Sequence, residues 1–343
     1  MATFPTLAER TTLRVGGPAD AWVVARTGAE IIDAVLSADV AGTPVLILGG
    51  GSNLLVADAG FRGTVVEIDS RGVEVDVVDD VVSLTVAAGE PWDTVVAQSV
   101  ANGWSGIEAL SGIPGLVGAT PIQNVGAYGQ DVSQAVASVR VLDRFDGQIR
   151  TLAGPDCGFG YRMSRFKVDA GRWVVLSVTL RLEATGMGVV RYSELARELG
   201  VTVADAAPVQ DIRDCELRLR SRTGMVLDDD DPDTWSAGSF FTNPVVDDAV
   251  ALGVPDACPR YPSAFGTKLS AAWLIENAGI GKGFALGGTA PAAISGKHTL
   301  ALTNRGGATA ADIMDLAGAV RAAVRARFAV ELDIEPTLIG VTP

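Results

Sequence analysis

Apolar and polar positions change period several times along the chain, and each change predicts an element. Val45-Leu46-Ile47-Leu48 is a short apolar run that stops at Gly49-Gly50-Gly51, the pattern of a buried strand entering a tight loop. Apolar residues resume at Leu55-Val56 and at Thr64-Val65-Val66-Glu67-Ile68, so strand is expected on both sides of the glycines. Upstream, a short strand is expected over 21–25, followed by a helix over 29–38 with Ile31, Ile32, Val35 and Leu36 on one face. Val73-Glu74-Val75-Asp76-Val77 alternates, Asp79-Asp80 turns, and Val82-Ser83-Leu84-Thr85-Val86 alternates again, which reads as a hairpin. Pro91 suits the first turn of a helix that carries Val95, Val96 and Val100 and stops at Asn102-Gly103.

From Ala109 to Gln130 the chain carries no charge, yet it holds five glycines and two prolines. That content suits a membrane helix poorly and a buried irregular loop well. Buried irregular backbone needs partners for its polar groups. They come either from packing as a plain connection or from a large planar cofactor lying across the loop. Strands are expected again over 138–142 and 173–182, and a new segment after about 183. Helical stripes follow over 208–222 (Ile212, Cys215, Leu219), 270–277 and 311–328 (Ile313, Leu316, Val320, Val324). The acidic run Asp228 to Asp231 reads as a solvated loop.

A length of 343 residues allows two or three domains, and 48% apolar with 20% charged residues describes a globular protein. The net charge of −14 argues against a nucleic-acid partner, whose phosphates call for the opposite sign. An anionic small ligand is still allowed, because only the local field in a cleft matters. Met1-Ala2-Thr3-Phe4-Pro5 shows no basic-plus-apolar leader pattern, so a cytoplasmic protein with no membrane partner is expected. Cys157, Cys215 and Cys258 are widely spaced and read as reduced thiols, and a single His298 makes a histidine metal site improbable. No metal is expected.

Glycines let backbone N–H groups approach a ligand closely, which suits an anion such as phosphate. The run Leu48-Gly49-Gly50-Gly51-Ser52-Asn53-Leu54 lacks the Lys-Ser/Thr ending of a Walker loop and the third glycine of a dinucleotide fingerprint. It is either a phosphate cradle between strands or a bare glycine turn. Three polar residues stand among apolar or glycine neighbours. Ser239 follows Gly238 and precedes two phenylalanines, as a turn residue or a chemical one. Arg162 follows Tyr161, as an ion-pair partner or an anion clamp. Glu335 is held extended by Pro336.

Five stretches together resemble one family. They are Leu48 to Leu55; Gly112-Ile113-Pro114-Gly115 with Gln123-Asn124-Val125-Gly126-Ala127-Tyr128-Gly129; Tyr161 to Lys167; Gly238-Ser239-Phe240-Phe241-Thr242-Asn243-Pro244; and Glu335 to Gly340. In this order they resemble the UDP-N-acetylenolpyruvoylglucosamine reductase (MurB) family, in the type I form that carries a tyrosine loop near Tyr192. The resemblance runs from about Thr11 to Gly340.

The resemblance implies an α+β chain, with a two-lobed FAD-binding domain of the vanillyl-alcohol-oxidase-like (PCMH) type and an α/β substrate-binding domain. The expected boundaries are 1–70 and 71–217 for the two FAD lobes, with the tyrosine loop near 192 in the second. Residues 218–328 would form the substrate domain, and 329–343 a C-terminal segment returning to the active site. FAD would be bound non-covalently, with its pyrophosphate on Gly49 to Leu54 and Leu48 beneath. The loop bearing Gly112, Ile113, Pro114, Gly118, Ala119 and Ile122 would lie against the flavin. NADPH would be the reductant and a UDP-sugar the small-molecule substrate. The family also implies Ser239 as proton donor and Arg162 and Glu335 flanking the substrate carboxylate. Tyr192 and Asn243 would contact the nucleotide, Tyr128 and Gln123 would lie near the substrate, and Lys268 is a further candidate. A monomer is favoured.

The residue types suit the reaction. Hydride added to the methylene carbon leaves charge shared with the neighbouring carboxylate, which a fixed guanidinium binds more tightly as it grows. A carbanion is basic enough to take a proton from a serine hydroxyl. One departure concerns the lysine that the family often carries near Thr223-Gly224-Met225 for the substrate diphosphate, which is absent here. Arg218, Arg220, Arg222, Lys268 and Lys282 are the available substitutes. The rival expectations are another flavin oxidoreductase of this fold acting on a different sugar or alcohol, and a non-catalytic sugar-nucleotide binder.

Overall fold

A computed structural model describes residues 4–263, 265–288 and 290–342 of the chain. Met1 to Thr3, part of the stretch read above for a leader, lie outside them. Backbone contacts divide the chain into two units. The larger comprises Asp20–Gly50 and Arg62–Ser221, and the smaller Met1–Ala19, Gly51–Phe61 and Arg222–Pro343. The glycine run is therefore where the chain leaves one unit for the other.

The larger unit opens with β1 (Ala19–Ala25), α1 (Gly28–Val40) and β2 (Val45–Leu48). Thr27 caps α1 by accepting the Glu30 N–H, and the Glu30 carboxylate accepts the Arg26 N–H in return. After β3 (Leu54–Val56), which belongs to the smaller unit, β4 (Phe61–Ile68) runs parallel to β2 and completes a sheet of order β1-β4-β2. The expected hairpin forms as β5 (Val73–Val78) and β6 (Val81–Ala87). Burial alternates along β6, whereas β5 lies at the sheet edge with both faces exposed. Next come α2 (Trp92–Ala101), the single turn α3 (Thr120–Gln123), and the two-residue strands β7 (Gly126–Ala127) and β8 (Gln130–Asp131). Then follow β9 (Val136–Asp143), β10 (Gln148–Ala153), α4 (Arg165–Val168) and β11 (Trp173–Glu183). These strands make an antiparallel sheet of order β10-β9-β11-β6-β5. Trp92, Ile107, Leu142 and Leu180 lie in the core that joins sheet and helices.

A second, smaller core of the same unit is built by β12 (Met187–Val189), α5 (Ser193–Leu199), β13 (Ala206–Pro208) and α6 (Val209–Arg222). Leu195 and Ala196 of α5 meet Ile212, Cys215 and Leu219 of α6 there, so the stripe read from the sequence is the buried face.

In the smaller unit, β14 (Val245–Val246), α7 (Asp248–Leu252), β15 (Arg260–Ser263) and β16 (Gly266–Leta269) precede α8 (Ala271–Asn277). The chain then forms β17 (Ala292–Ile294), β18 (Leu302–Asn304), α9 (Ala310–Phe328) and β19 (Thr337–Ile339). A reciprocal cap between Thr309 and Asp312 starts α9. Its Ile313, Leu316, Val320 and Val324 pack with Leu55, Phe240, Phe241 and Leu274. β19 lies parallel to β3, with Thr337 opposite Leu54.

Two expectations are corrected. The acidic run is not wholly solvated: Asp231 is half-buried, accepts the Asp233 N–H and pairs with Lys297. Pro232 starts a tight helical turn there and needs a cap. The uncharged loop is also less irregular than its glycines suggested, since single helical turns occupy 108–110, 117–119 and 120–123. Among the described residues, no helix is long and apolar enough to cross a membrane.

Candidate active site

In the larger unit the apolar strand β2 ends on buried Leu48 and passes to Gly49 and Gly50. A Cβ at Gly50 would stand 2.8 Å from the Gly115 Cα, so the two backbones approach as only glycine permits. Leu116 is the nearest neighbour of Gly49, at 3.7 Å from a Cβ built there. The loop from Gly112 to Gly118 is fastened to the start of α2 and the strand before it. The Gly112 N–H donates to Asp93 at 2.6 Å, the Trp92 N–H to the Gly115 carbonyl at 3.0 Å, and the Gly118 N–H to the Ala88 carbonyl at 2.9 Å. Gly118 itself packs on Ala88, where a Cβ would come within 2.6 Å. Ile113 and Pro114 are half-buried and Ala119 is exposed.

The segment 122–128 is tied to 160–167 in the same unit. Ser164 donates to the Ile122 carbonyl at 2.7 Å, the Asn124 amide to the Gly160 carbonyl at 2.8 Å, and Lys167 to the Gln123 side chain at 2.8 Å. Arg162 donates through Nη2 to the Gly126 carbonyl at 2.7 Å, and Lys167 reaches the Arg162 carbonyl at 3.1 Å. Arg162 and Tyr128 both hold positive φ, at 52° and 47°. Non-glycine residues keep that conformation only where surrounding bonds impose it. Tyr128 meets Tyr192 edge to face, with centroids 5.3 Å apart. Tyr192 stands at the N-terminal end of α5. The structure thus brings Gln123, Tyr128, Arg162 and Tyr192 together in one unit.

Ser239 and Glu335 lie in the smaller unit. Phe240 and Phe241 are fully buried and anchor this stretch, whose backbone pairs with 333–335. The Glu335 N–H donates to the Phe240 carbonyl at 2.9 Å, and the Thr242 N–H to the Asp333 carbonyl at 3.0 Å. Gly238 takes φ +71°, and its N–H is satisfied by the Ser236 hydroxyl at 3.2 Å. Ser236 therefore does the turn bonding that had been an option for Ser239. Asn243 accepts the Ala271 N–H at 2.9 Å and so helps start α8, while Lys268 sits over the Tyr261 ring at 5.8 Å. Gly51, with φ +60°, is also in this unit; a Cβ there would strike the Arg10 carbonyl at 2.0 Å. The chain continues through Ser52 and Asn53, whose carbonyl accepts the Thr337 N–H at 2.9 Å, into Leu54 of β3.

Four charged residues of the larger unit went unread in the sequence as a group. Arg213 clasps Asp93 through two nitrogens, at 2.7 and 2.9 Å, and also donates to Ser111. Burial works against the Asp93 carboxylate, yet the Arg213 and Gly112 hydrogen bonds outweigh it and hold its pKa below the ordinary value. Glu216 and Arg220 are buried on α6, burial pushing the first up to about 8 and the second down. Burial, reinforced by Glu216, also pushes the Tyr128 hydroxyl up to about 12. Spacing offered one signal: Glu216 interrupts the apolar stripe of α6.

Comparison with known proteins defines the class first. A model described as FAD binding domain matches residues 19–153, and one described as UDP-N-acetylenolpyruvoylglucosamine reductase, C-terminal domain, matches residues 230–339. The chain is an FAD-binding oxidoreductase of α+β fold. It is 52% identical to the UDP-N-acetylenolpyruvoylglucosamine reductase of Thermobifida fusca strain YX, over 98% of this chain and 97% of that one. For the protein of the same name from Streptomyces coelicolor the figures are 50%, 98% and 89%. The crystal structure of the Thermus caldophilus reductase (MurB) matches with a TM-score of 0.65 at 26% identity, over 98% of this chain and 97% of that one. The chain belongs to the UDP-N-acetylenolpyruvoylglucosamine reductase family.

Proposed function

We propose that this chain reduces the enolpyruvyl ether of UDP-N-acetylglucosamine to the lactyl ether, giving UDP-N-acetylmuramate for peptidoglycan synthesis. Half-identity to named reductases along nearly the whole chain, both units included, carries this reading. The larger unit fits FAD, because its glycine-kept approach at Gly50 and Gly115 and its uncharged 109–130 loop leave room for a planar ring and a pyrophosphate. When bound, FAD accepts hydride from NADPH and supplies it to the methylene carbon of the substrate.

The remaining work falls to the chain's own side chains. Gly49 to Leu54, with Leu48 beneath, holds the pyrophosphate, and the loop carrying Gly112, Ile113, Pro114, Gly118, Ala119 and Ile122 supports the flavin. Arg162, fixed by its bond to Gly126, binds the substrate carboxylate as negative charge spreads onto it. Ser239 gives a proton to the carbon beside that carboxylate, and Glu335 shares a hydrogen bond with the enolate-like oxygens. Tyr192 closes over the nucleotide, which Asn243 and Lys268 also contact, while Gln123 and Tyr128 line the substrate side. Arg218, Arg220 or Arg222 replaces the missing lysine at the diphosphate. The enzyme works as a cytoplasmic monomer.

An anaerobic titration tests the reading. Purified protein is expected to be yellow, to bleach with NADPH, and to recover its colour with the enolpyruvyl substrate and not with free sugars. Bleaching without recovery would point to a different oxidisable partner. A protein that never bleaches would remove the redox reading altogether.

A further inference from the structure

Glu216 occupies a position on α6 that the packing would give to an aliphatic residue. It lies between Ile212 and Leu219 on the buried face and is itself fully buried. Neither carboxyl oxygen has a hydrogen-bond partner among the described residues. Such groups are costly and rare in folded proteins. The groups acting on it are few. Arg220 lies one turn along α6, and Glu194 comes from α5. Tyr128, from the turn between β7 and β8, feels its charge, as does Cys215 on its own helix. Tyr192 and Glu194 bear on Tyr128, and Asp93 and Arg162 on Arg220.

We propose that Glu216 is a proton-operated positioning residue for the Tyr128–Tyr192 face: neutral, it leaves the Arg220 charge to an anionic substrate, and ionised, it draws that charge to itself. Burial is what keeps the proton on, aided by Glu194 and opposed by Arg220. Once the proton leaves, the carboxylate and the Arg220 guanidinium one turn away become an ion pair inside the protein. The positive field offered to a nucleotide diphosphate or carboxylate then falls, and a negative charge appears beside the Tyr128 hydroxyl. The inference rests on reading this face as the substrate-closing one.

The test uses the FAD-loaded enzyme and its Glu216→Gln and Glu216→Leu variants from about pH 6 to about pH 10, across the ordinary and the raised carboxyl pKa. The wild-type KM for the enolpyruvyl substrate is expected to rise about tenfold on the alkaline side, the factor that one pKa unit of coupling represents. Both variants should hold KM flat there, with kcat following one common profile. The denaturant midpoint supplies a readout independent of substrate. The folded chain keeps a proton that the unfolded chain releases, so wild-type stability should fall as pH rises from about 4.5 to about 8 and then level off, relative to either variant. Superimposable midpoint curves would overturn the buried proton. Different midpoint curves with parallel KM profiles, or an alkaline loss in FAD retention alone, would overturn the link to substrate. Absence of turnover at every pH, with distinct midpoint curves, would instead count against the proposed function.

Discussion

The Glu335 amide donates to the Phe240 carbonyl at 2.9 Å, which fixes the carboxylate of the C-terminal segment one residue from Ser239. Because Phe240 and Phe241 are locked in the core, the two side chains share one rigid support. Ser239→Ala should leave NADPH bleaching of the flavin intact and lower substrate turnover by about 10² or more. Stopped-flow measurement of the two half-reactions checks this. An equal fall in both would remove the proton-donor role.

Gly50→Ala should weaken FAD binding. The added carbon would sit 2.8 Å from a backbone atom of Gly115, and backbone cannot step aside as a flexible side chain would. A loss of about tenfold or more in affinity is expected from a displacement of that kind. Equilibrium fluorescence of released flavin measures it. Gly28→Ala is the matched control, since nothing lies within 4 Å of a Cβ there.

Arg213→Ala should loosen the 112–118 loop, because Asp93 loses the partner that holds its oxygens while it still accepts the Gly112 N–H. The cost to unfolding is about 1–2 kcal/mol, at the lower part of the range for charged hydrogen bonds because Asp93 is part exposed. Asp93 has a depressed folded pKa, so its contribution is present above about 3.8 and is lost as pH falls through the folded value. Acid titration of stability should therefore show a shallower fall in Arg213→Ala than in the wild type.

Tyr192→Ala should raise KM for the nucleotide sugar with little change in the NADPH half-reaction. It removes the edge-to-face contact with Tyr128, of about 0.5–1.5 kcal/mol beyond area burial, which corresponds to roughly a threefold to tenfold change if it all appears in binding. Steady-state kinetics with each substrate varied in turn separates the two effects.

Periodicity read the regular elements well where an apolar face was continuous. The stripe Ile313, Leu316, Val320 and Val324 is the buried side of α9, and the 73–86 hairpin pairs through the turn its aspartates announced. Short pairings escaped because two or three residues carry no period: β12 with β13, β14 with β16, and β17 with β18 are all of this kind. The bonds fixing Arg162 escaped for another reason. Gly126 and Arg162 are 36 positions apart, and no local pattern announces a guanidinium that binds a distant carbonyl. Asp231 was misjudged because its charge was visible in the sequence and Lys297, 66 positions later, was not linked to it.

β3 and β19 join positions 54–56 to 337–339, so the smaller unit needs both ends of the chain, whereas the larger is complete by 221. On a ribosome the flavin-binding portion can mature while its companion still waits for the last stretch of translation. A premature stop before Thr337 would leave the Leu54 edge without its neighbour and expose it to association with other chains.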